Sequence, residues 1–170
     1  VTKELYPLVQ KQFCIDPRPA QHAFIGMSLG GVSAVDIVWH HPEKFGKAGV
    51  FSGSFWWRSR DIGPGYSPAD RIMHRVVANS EKRQGLKFWL QVGTEDETSD
   101  RNNSGIIDAI EDTLDFVQML RYKGYQLHRD IRYVEITGGK HDQQTWSVAL
   151  PNFLLWAFSA EQARQKSTTA

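Results

Sequence analysis

Four short strand-like runs punctuate this sequence, and helix-length stretches separate them. His22-Ala23-Phe24-Ile25 stops at Gly26, Ala48-Gly49-Val50-Phe51 precedes a Ser-Gly-Ser, residues 88–92 stop at Gly93, and residues 131–137 run into Gly138-Gly139. Runs of this length, rich in Val, Ile and Phe and bounded by glycine, read as buried strands. Residues 30–41 read as a helix that Pro42 stops. Residues 58–66 are loop, and Ser67-Pro68 opens a helix to about Asn79. Ile106, Ile107, Ile110, Leu114, Val117 and Leu120 recur at spacings of three and four, a helix over 105–123 that Gly124 closes. A last helical stripe joins Trp146, Ala149, Leu150, Phe153, Leu154, Ala157 and Phe158, and Pro151 is expected to break it in two. Residues 3–13 have a looser helical pattern, weakened by Pro7. Strands that alternate with helices predict a parallel sheet covered on both faces, in one domain over 1–170 with a flexible polar tail from about residue 161.

Charge and cysteine content narrow the function. Twenty Lys and Arg against 19 Asp and Glu give a net charge of +1, which offers no electrostatic footprint for nucleic acid or an anionic membrane. No apolar stretch has transmembrane length. Cys14 is the single cysteine, so an intrachain disulfide and a thiolate-rich metal site are excluded.

The first strand leads into Gly26-Met27-Ser28-Leu29-Gly30, a G-x-S-x-G pattern with a strand before it and a helix after it. A sharp turn there lifts the Ser28 hydroxyl above the sheet, and glycine at both flanks avoids collision with neighbouring backbone. The helix N-terminus and the Leu29 N–H then face the position where an oxyanion would form. Such a nucleophile needs a base and an orienting acid, in chain order Ser, acid, His. Thr94-Glu95-Asp96 follows the third strand and Lys140-His141-Asp142 the fourth. Both therefore fall at C-terminal strand ends, where parallel sheets place their sites. His40 and His41 suit a helix C-terminus, and His22, His74 and His128 read as structural.

With these segments in hand, the chain resembles the esterase family of α/β-hydrolases that includes esterase D, feruloyl esterase modules and the enterochelin esterases. The resemblance rests on residues 26–31, Ser52-Gly53-Ser54-Phe55-Trp56-Trp57, Gly93-Thr94-Glu95-Asp96 and Gly138-Gly139-Lys140-His141-Asp142 with Trp146. It implies an α/β-hydrolase-type, mostly parallel sheet with helices on both faces. It also implies ester hydrolysis through an acyl-enzyme on Ser28, with His141 as base and no cofactor for catalysis. The Gly-Thr-x-Asp segment of feruloyl esterase modules assigns the acid to Asp96, and a one-residue shift in the loop would give Glu95 instead. Siderophore, feruloyl and simple carboxylic esters all fit as small-molecule substrates.

Relatives carry further strands before the region where this chain begins, so the N-terminal strands of the sheet are expected to be absent here. Strand 22–26 would then be an exposed edge, open to self-association or to a missing N-terminal segment. A non-catalytic, hydrolase-like binding module is the alternative to an enzyme. Trp56 and Trp57 are candidates to line a substrate pocket, and Trp146 fits either pocket or core. Residues 100–111 match a twelve-residue calcium loop, with Asp100, Asn102, Ser104, the Ile106 carbonyl, Asp108 and Glu111 as ligands and Gly105 at the turn. That points to a structural calcium, against the plainer reading of an acidic segment that caps the following helix.

Overall fold

A computed structural model describes residues 1–159. The expected tail from residue 161 lies outside the described residues. Strands β1 (Ala23–Met27), β2 (Lys47–Phe51), β3 (Lys87–Glu95) and β4 (Ile131–Lys140) form one sheet in the order β1-β2-β3-β4. Every neighbouring pair is parallel. Each strand is thus one step further in the same direction. Crossovers of a single hand then leave the three connecting helices on one face. Those helices are α2 (Leu29–His40), α3 (Ile72–Ala78) and α4 (Asp108–Tyr122). The opposite face is covered by α5 (Gln143–Phe158). A short N-terminal helix, α1 (Leu5–Gln12), tolerates Pro7 because an N–H in the first turn has no partner within the helix to lose.

The larger core lies under α2, α3 and α4. Trp39, Val77, Phe116 and Leu120 close on Val50, Phe88 and Leu90. The smaller core packs Ala149, Phe153 and Ala157 of α5 against Phe51 and Trp89. Each of these fully buried large side chains contributes about 1.5–3 kcal/mol. Among the described residues β1 is an edge strand that pairs with β2 alone, and its Ile25 and Met27 are 38% and 36% exposed.

Three expectations need correction. The helix over 67–79 is interrupted: a 3-10 turn at Pro68–Asp70 gives way at Arg71, whose extended backbone (ψ 117°) separates it from α3. Arg71 turns inward instead and donates to Asp112 at 3.0 Å and Asp115 at 2.8 Å. The stripe on α4 is also different. Ile106 and Leu114 are exposed, while Asp112 and Thr113 are buried. Asp112 is tolerated there because Arg71 and Arg101 both pair with it. Finally, Pro151 does not break α5. Pro151 and Ser147 both lie on the exposed side, so the carbonyl that loses its donor is open to water.

His74 on α3 is buried, edge-on to Phe55 and Phe116, and among the described residues neither ring nitrogen has a hydrogen-bond partner. Burial first, and then the Arg71 charge, push its pKa down from 6.5 to about 3. The unfolded chain therefore binds a proton that the fold refuses between these values. Its contribution to stability is complete above pH 6.5 and is lost progressively as pH falls toward 3. Replacing His74 with Leu is expected to make the loss of stability between pH 7 and pH 5 smaller by about 2 kcal/mol. Urea midpoints at the two pH values measure this, and an equal loss in variant and wild type would contradict it.

Candidate active site

Parallel register brings four segments to one rim. Met27 pairs with Phe51, and Phe51 with Gln91. Ser28 and Ser52 are thus the first residues past adjacent strand ends. Strands β3 and β4 run further and finish on the pair Glu95–Lys140. Asp96 and His141 each follow that last pair by one residue. Ser28, Ser52, Gly53, Ser54, Trp56, Asp96, Glu97, Ala109 and His141 line a common cleft of about 140 Å³.

Ser28 sits between β1 and α2 with φ 55° and ψ −126°, in a region that only glycine adopts readily. Its backbone is held on both sides. The N–H donates to Phe51 O at 3.0 Å, and its carbonyl accepts from Gly31 N at 3.0 Å and Ser54 N at 3.1 Å. The side chain does not cap α2; its Oγ lies 3.3 Å from Ser54 Oγ. Of the two flanking glycines, Gly26 is required for space, since a Cβ there would stand 2.0 Å from Gly30 O. Gly30 is different from expectation: a Cβ at that position meets nothing within 4 Å.

Asp96 is buried and Glu95 is exposed. Asp96 Oδ2 lies 4.0 Å from His141 Nδ1, longer than a hydrogen bond, and has no other partner among the described residues. Its Oδ1 accepts from Ser52 Oγ at 3.1 Å. Burial raises the Asp96 pKa, and the Ser52 hydrogen bond and the facing His141 hold it back. The turn that carries His141 is fixed from α5: Asp142 Oδ1 accepts from Thr145 N at 2.8 Å, and Thr145 Oγ1 accepts from Lys140 N at 2.8 Å. Gly93 allows the close approach of β3 to β4, because a Cβ there would lie 2.3 Å from Gly139 O.

Trp56 borders the cleft and Trp57 stands outside it, the two rings edge-on at 5.6 Å. Trp146 is partly buried and packs edge-on against His141 at 5.4 Å. Leu29 opens α2 directly after Ser28. Ser52, Ser54 and Glu97 were not singled out in the sequence as site residues. The positive φ of 50° at Ser52 comes from its place past a strand end, which no local pattern announces. Burial, followed by the nearby Asp108 and Asp112, raises the pKa of Glu97, and the Ala109 N–H opposes this. The other five histidines lie away from the cleft.

In the 100–111 loop, Asp100 accepts from Ser104 N at 3.0 Å and Gly105 N at 2.8 Å. Glu111 accepts from Ser104 Oγ at 2.8 Å and from Asn102 Nδ2 at 3.0 Å. Asp108 turns to Arg101 instead, accepting from its backbone N–H at 2.9 Å and pairing with its guanidinium at 3.6 Å. Among the described residues no three His, Cys, Asp or Glu side chains gather as metal ligands.

Comparison with known proteins agrees with this architecture. The family model described as "Putative esterase" matches residues 1–157. Iron(III) enterobactin esterase of Escherichia coli K12 is 26% identical over 155 residues, which are 91% of this chain and 34% of that protein. The structure of the Shigella flexneri enterobactin esterase in the presence of 2,3-di-hydroxy-N-benzoyl-serine superimposes with a TM-score of 0.72 at 24% identity. It is covered over 92% of this chain and 36% of its own. FphF, a fluorophosphonate-binding serine hydrolase of Staphylococcus aureus, gives a TM-score of 0.62 at 19% identity, covering 91% of this chain and 60% of its own. The chain thus spans about a third of the length of the enterobactin esterases it matches.

The two glycines beside Ser28 separate experimentally. Gly26→Ala must push the first turn of α2 off the sheet, and it is expected to destabilise the fold by about 1–3 kcal/mol. Gly30→Ala adds helix propensity in open space and should be neutral or stabilising by up to about 1 kcal/mol. Chemical denaturation of the two variants side by side reads the difference; equal effects would refute the assigned contact.

Proposed function

This chain belongs to the esterase family, and from that premise we propose that it carries the catalytic residues of a serine esterase. In this reading Ser28 attacks an ester carbonyl while His141 accepts its proton. Asp96 fixes the imidazole tautomer and stabilises the imidazolium. The tetrahedral oxyanion forms beside the N-terminus of α2, where the Leu29 N–H donates. The alcohol leaves with the proton from His141, and water then releases the acyl group by the same steps in reverse. No cofactor is required.

One observation carries this reading: the serine, the buried carboxylate and the imidazole all follow strand ends and line the same cleft. The 4.0 Å gap between Asp96 and His141 fits a resting site whose hydrogen bond tightens when substrate binds. Glu95 is not favoured as the acid, because its side chain faces solvent. An exposed aromatic wall at Trp56, joined by Trp57, suits an ester with an aromatic acyl group. The enterobactin esterase relatives make a hydroxybenzoyl-serine ester the first substrate to try.

A fluorophosphonate probe should label the wild-type chain at Ser28 and leave Ser28→Ala unlabelled. Hydrolysis of 4-nitrophenyl acetate should fall by at least about 10³-fold in Ser28→Ala. In Asp96→Asn it should fall by roughly 10²–10⁴-fold. A wild-type chain that neither labels nor hydrolyses would favour the non-catalytic binding module.

For the 100–111 loop we propose a structural calcium. The reading is supported by the way Asp100 gathers the amides of Ser104 and Gly105, and by left-handed backbone at Asn103 and Gly105. The carboxylates of Asp100 and Glu111, with Asn102, Ser104 and the Ile106 carbonyl, would supply the oxygens. Calcium would have to compete with Arg101 for Asp108. Millimolar calcium is expected to raise the melting temperature by a few degrees, and Asp100→Ala should abolish the rise. An unchanged melting temperature in wild type would end the proposal.

A further inference from the structure

We infer that Ser52 and Trp146 form a positioning relay that orients Asp96 toward His141. The inference deepens the esterase reading and rests on it for the roles of His141 and Asp96. The relay's direction follows from which atoms carry protons. An indole N–H can only donate. Trp146 Nε1 donates to Ser52 Oγ at 2.8 Å, so the Ser52 proton points elsewhere. It is donated to Asp96 Oδ1 at 3.1 Å. With Oδ1 occupied as an acceptor, the remaining oxygen Oδ2 is buried, without a hydrogen-bond partner among the described residues, and turned to His141.

The hydrogen bond that Ser52 donates to Oδ1 is stronger to the carboxylate than to the neutral acid. The relay therefore opposes burial, which favours the neutral acid. The groups that face Asp96 are few. They are Ser52 past β2, Gly93 in β3, and His141 with Asp142 at the start of α5. Glu97 from its own segment shares the cleft. Asp142 adds a negative charge that disfavours ionisation, so the Ser52 hydrogen bond, then the Gly93 backbone and His141, carry the opposing share.

The backbone supports the same assignment. Ser52 holds φ 50° while buried, and its N–H is fixed to Gln91 O at 2.8 Å. A strained residue persists where its surroundings over-determine it. Trp146 also packs its ring against His141. A single side chain from α5 thus touches the imidazole directly and the carboxylate through one hydroxyl. Neither residue touches the reacting atoms, so both are positioning residues.

Two variants separate this role from a merely structural one. Trp146→Phe keeps a ring beside His141 and deletes the indole N–H. Ser52→Gly deletes the hydroxyl and relieves the left-handed backbone, so it does not depend on tolerance of a core change. Two readouts apply: the carboxyl ¹³C titration of Asp96, and the acid limb of the kcat/KM profile against pH with 4-nitrophenyl acetate. In both variants the Asp96 midpoint is expected to move up by roughly one pH unit. The acid limb should follow it, kcat should fall, and KM should hold. An Asp96 midpoint unmoved in both variants overturns the relay, whatever happens to activity. Absence of Ser28-dependent hydrolysis in wild type overturns the esterase reading instead, and the carboxyl titration still decides the relay.

Discussion

Parallel pairing is the constraint on which the rest of this molecule depends. Because all four strands point the same way, every loop that leaves a C-terminal strand end must emerge at one rim. A chain that separates Ser28 from His141 by more than a hundred residues can still place both on one cleft. Antiparallel strands would have sent alternate loops to opposite ends. The helices follow from the same fact: parallel neighbours need crossovers, and crossovers of one hand put α2, α3 and α4 on one face. The site is thus a by-product of topology, and local chemistry refines it.

That refinement works against burial. Asp96 and Asp112 are both carboxylates in dry surroundings, and they are stabilised in different ways. Asp112 meets the full charges of Arg71 and Arg101, a structural pairing that would be costly to break on one side. Among the described residues Asp96 meets a hydroxyl, a backbone contact and a half-exposed imidazole at 4.0 Å, and no full charge pairs with it as at Asp112. A fully paired carboxylate would have little left to offer an imidazolium. The weaker compensation at Asp96 leaves its field available to His141.

Much of this could be read from residue order. Glycine-bounded apolar runs gave the four strands, and their alternation with helices gave the parallel sheet. The position of Ser28, Asp96 and His141 just past those runs gave the convergence on one rim. What could not be read depends on partners distant in sequence. The break at Arg71 exists because its guanidinium reaches Asp112 on α4, and Asp112 replaces Leu114 on the buried side for the same reason. Pro151 reads as a helix breaker unless one knows that its side of α5 faces water. Glu95 and Asp96 are equivalent letters until the end of β3 fixes which one turns inward. Ser52 and Trp146 lie 94 residues apart, so their hydrogen bond has no local signature.

The two serines past β1 and β2 show how the rim is held rigid. Ser28 and Ser52 both adopt positive φ, at 55° and 50°. Such backbone costs about 1–3 kcal/mol per residue. Each is fixed by the same device, an N–H that donates to a carbonyl of the next strand: Phe51 for Ser28 and Gln91 for Ser52. The sheet ladder therefore continues one rung beyond its regular strands, into the turns themselves. Strain that would melt a free loop is carried by parallel pairing, which the larger core stabilises from behind. The hydroxyls are left for other partners, Ser54 for Ser28 and Asp96 for Ser52, because the backbone, and not the side chain, satisfies each turn.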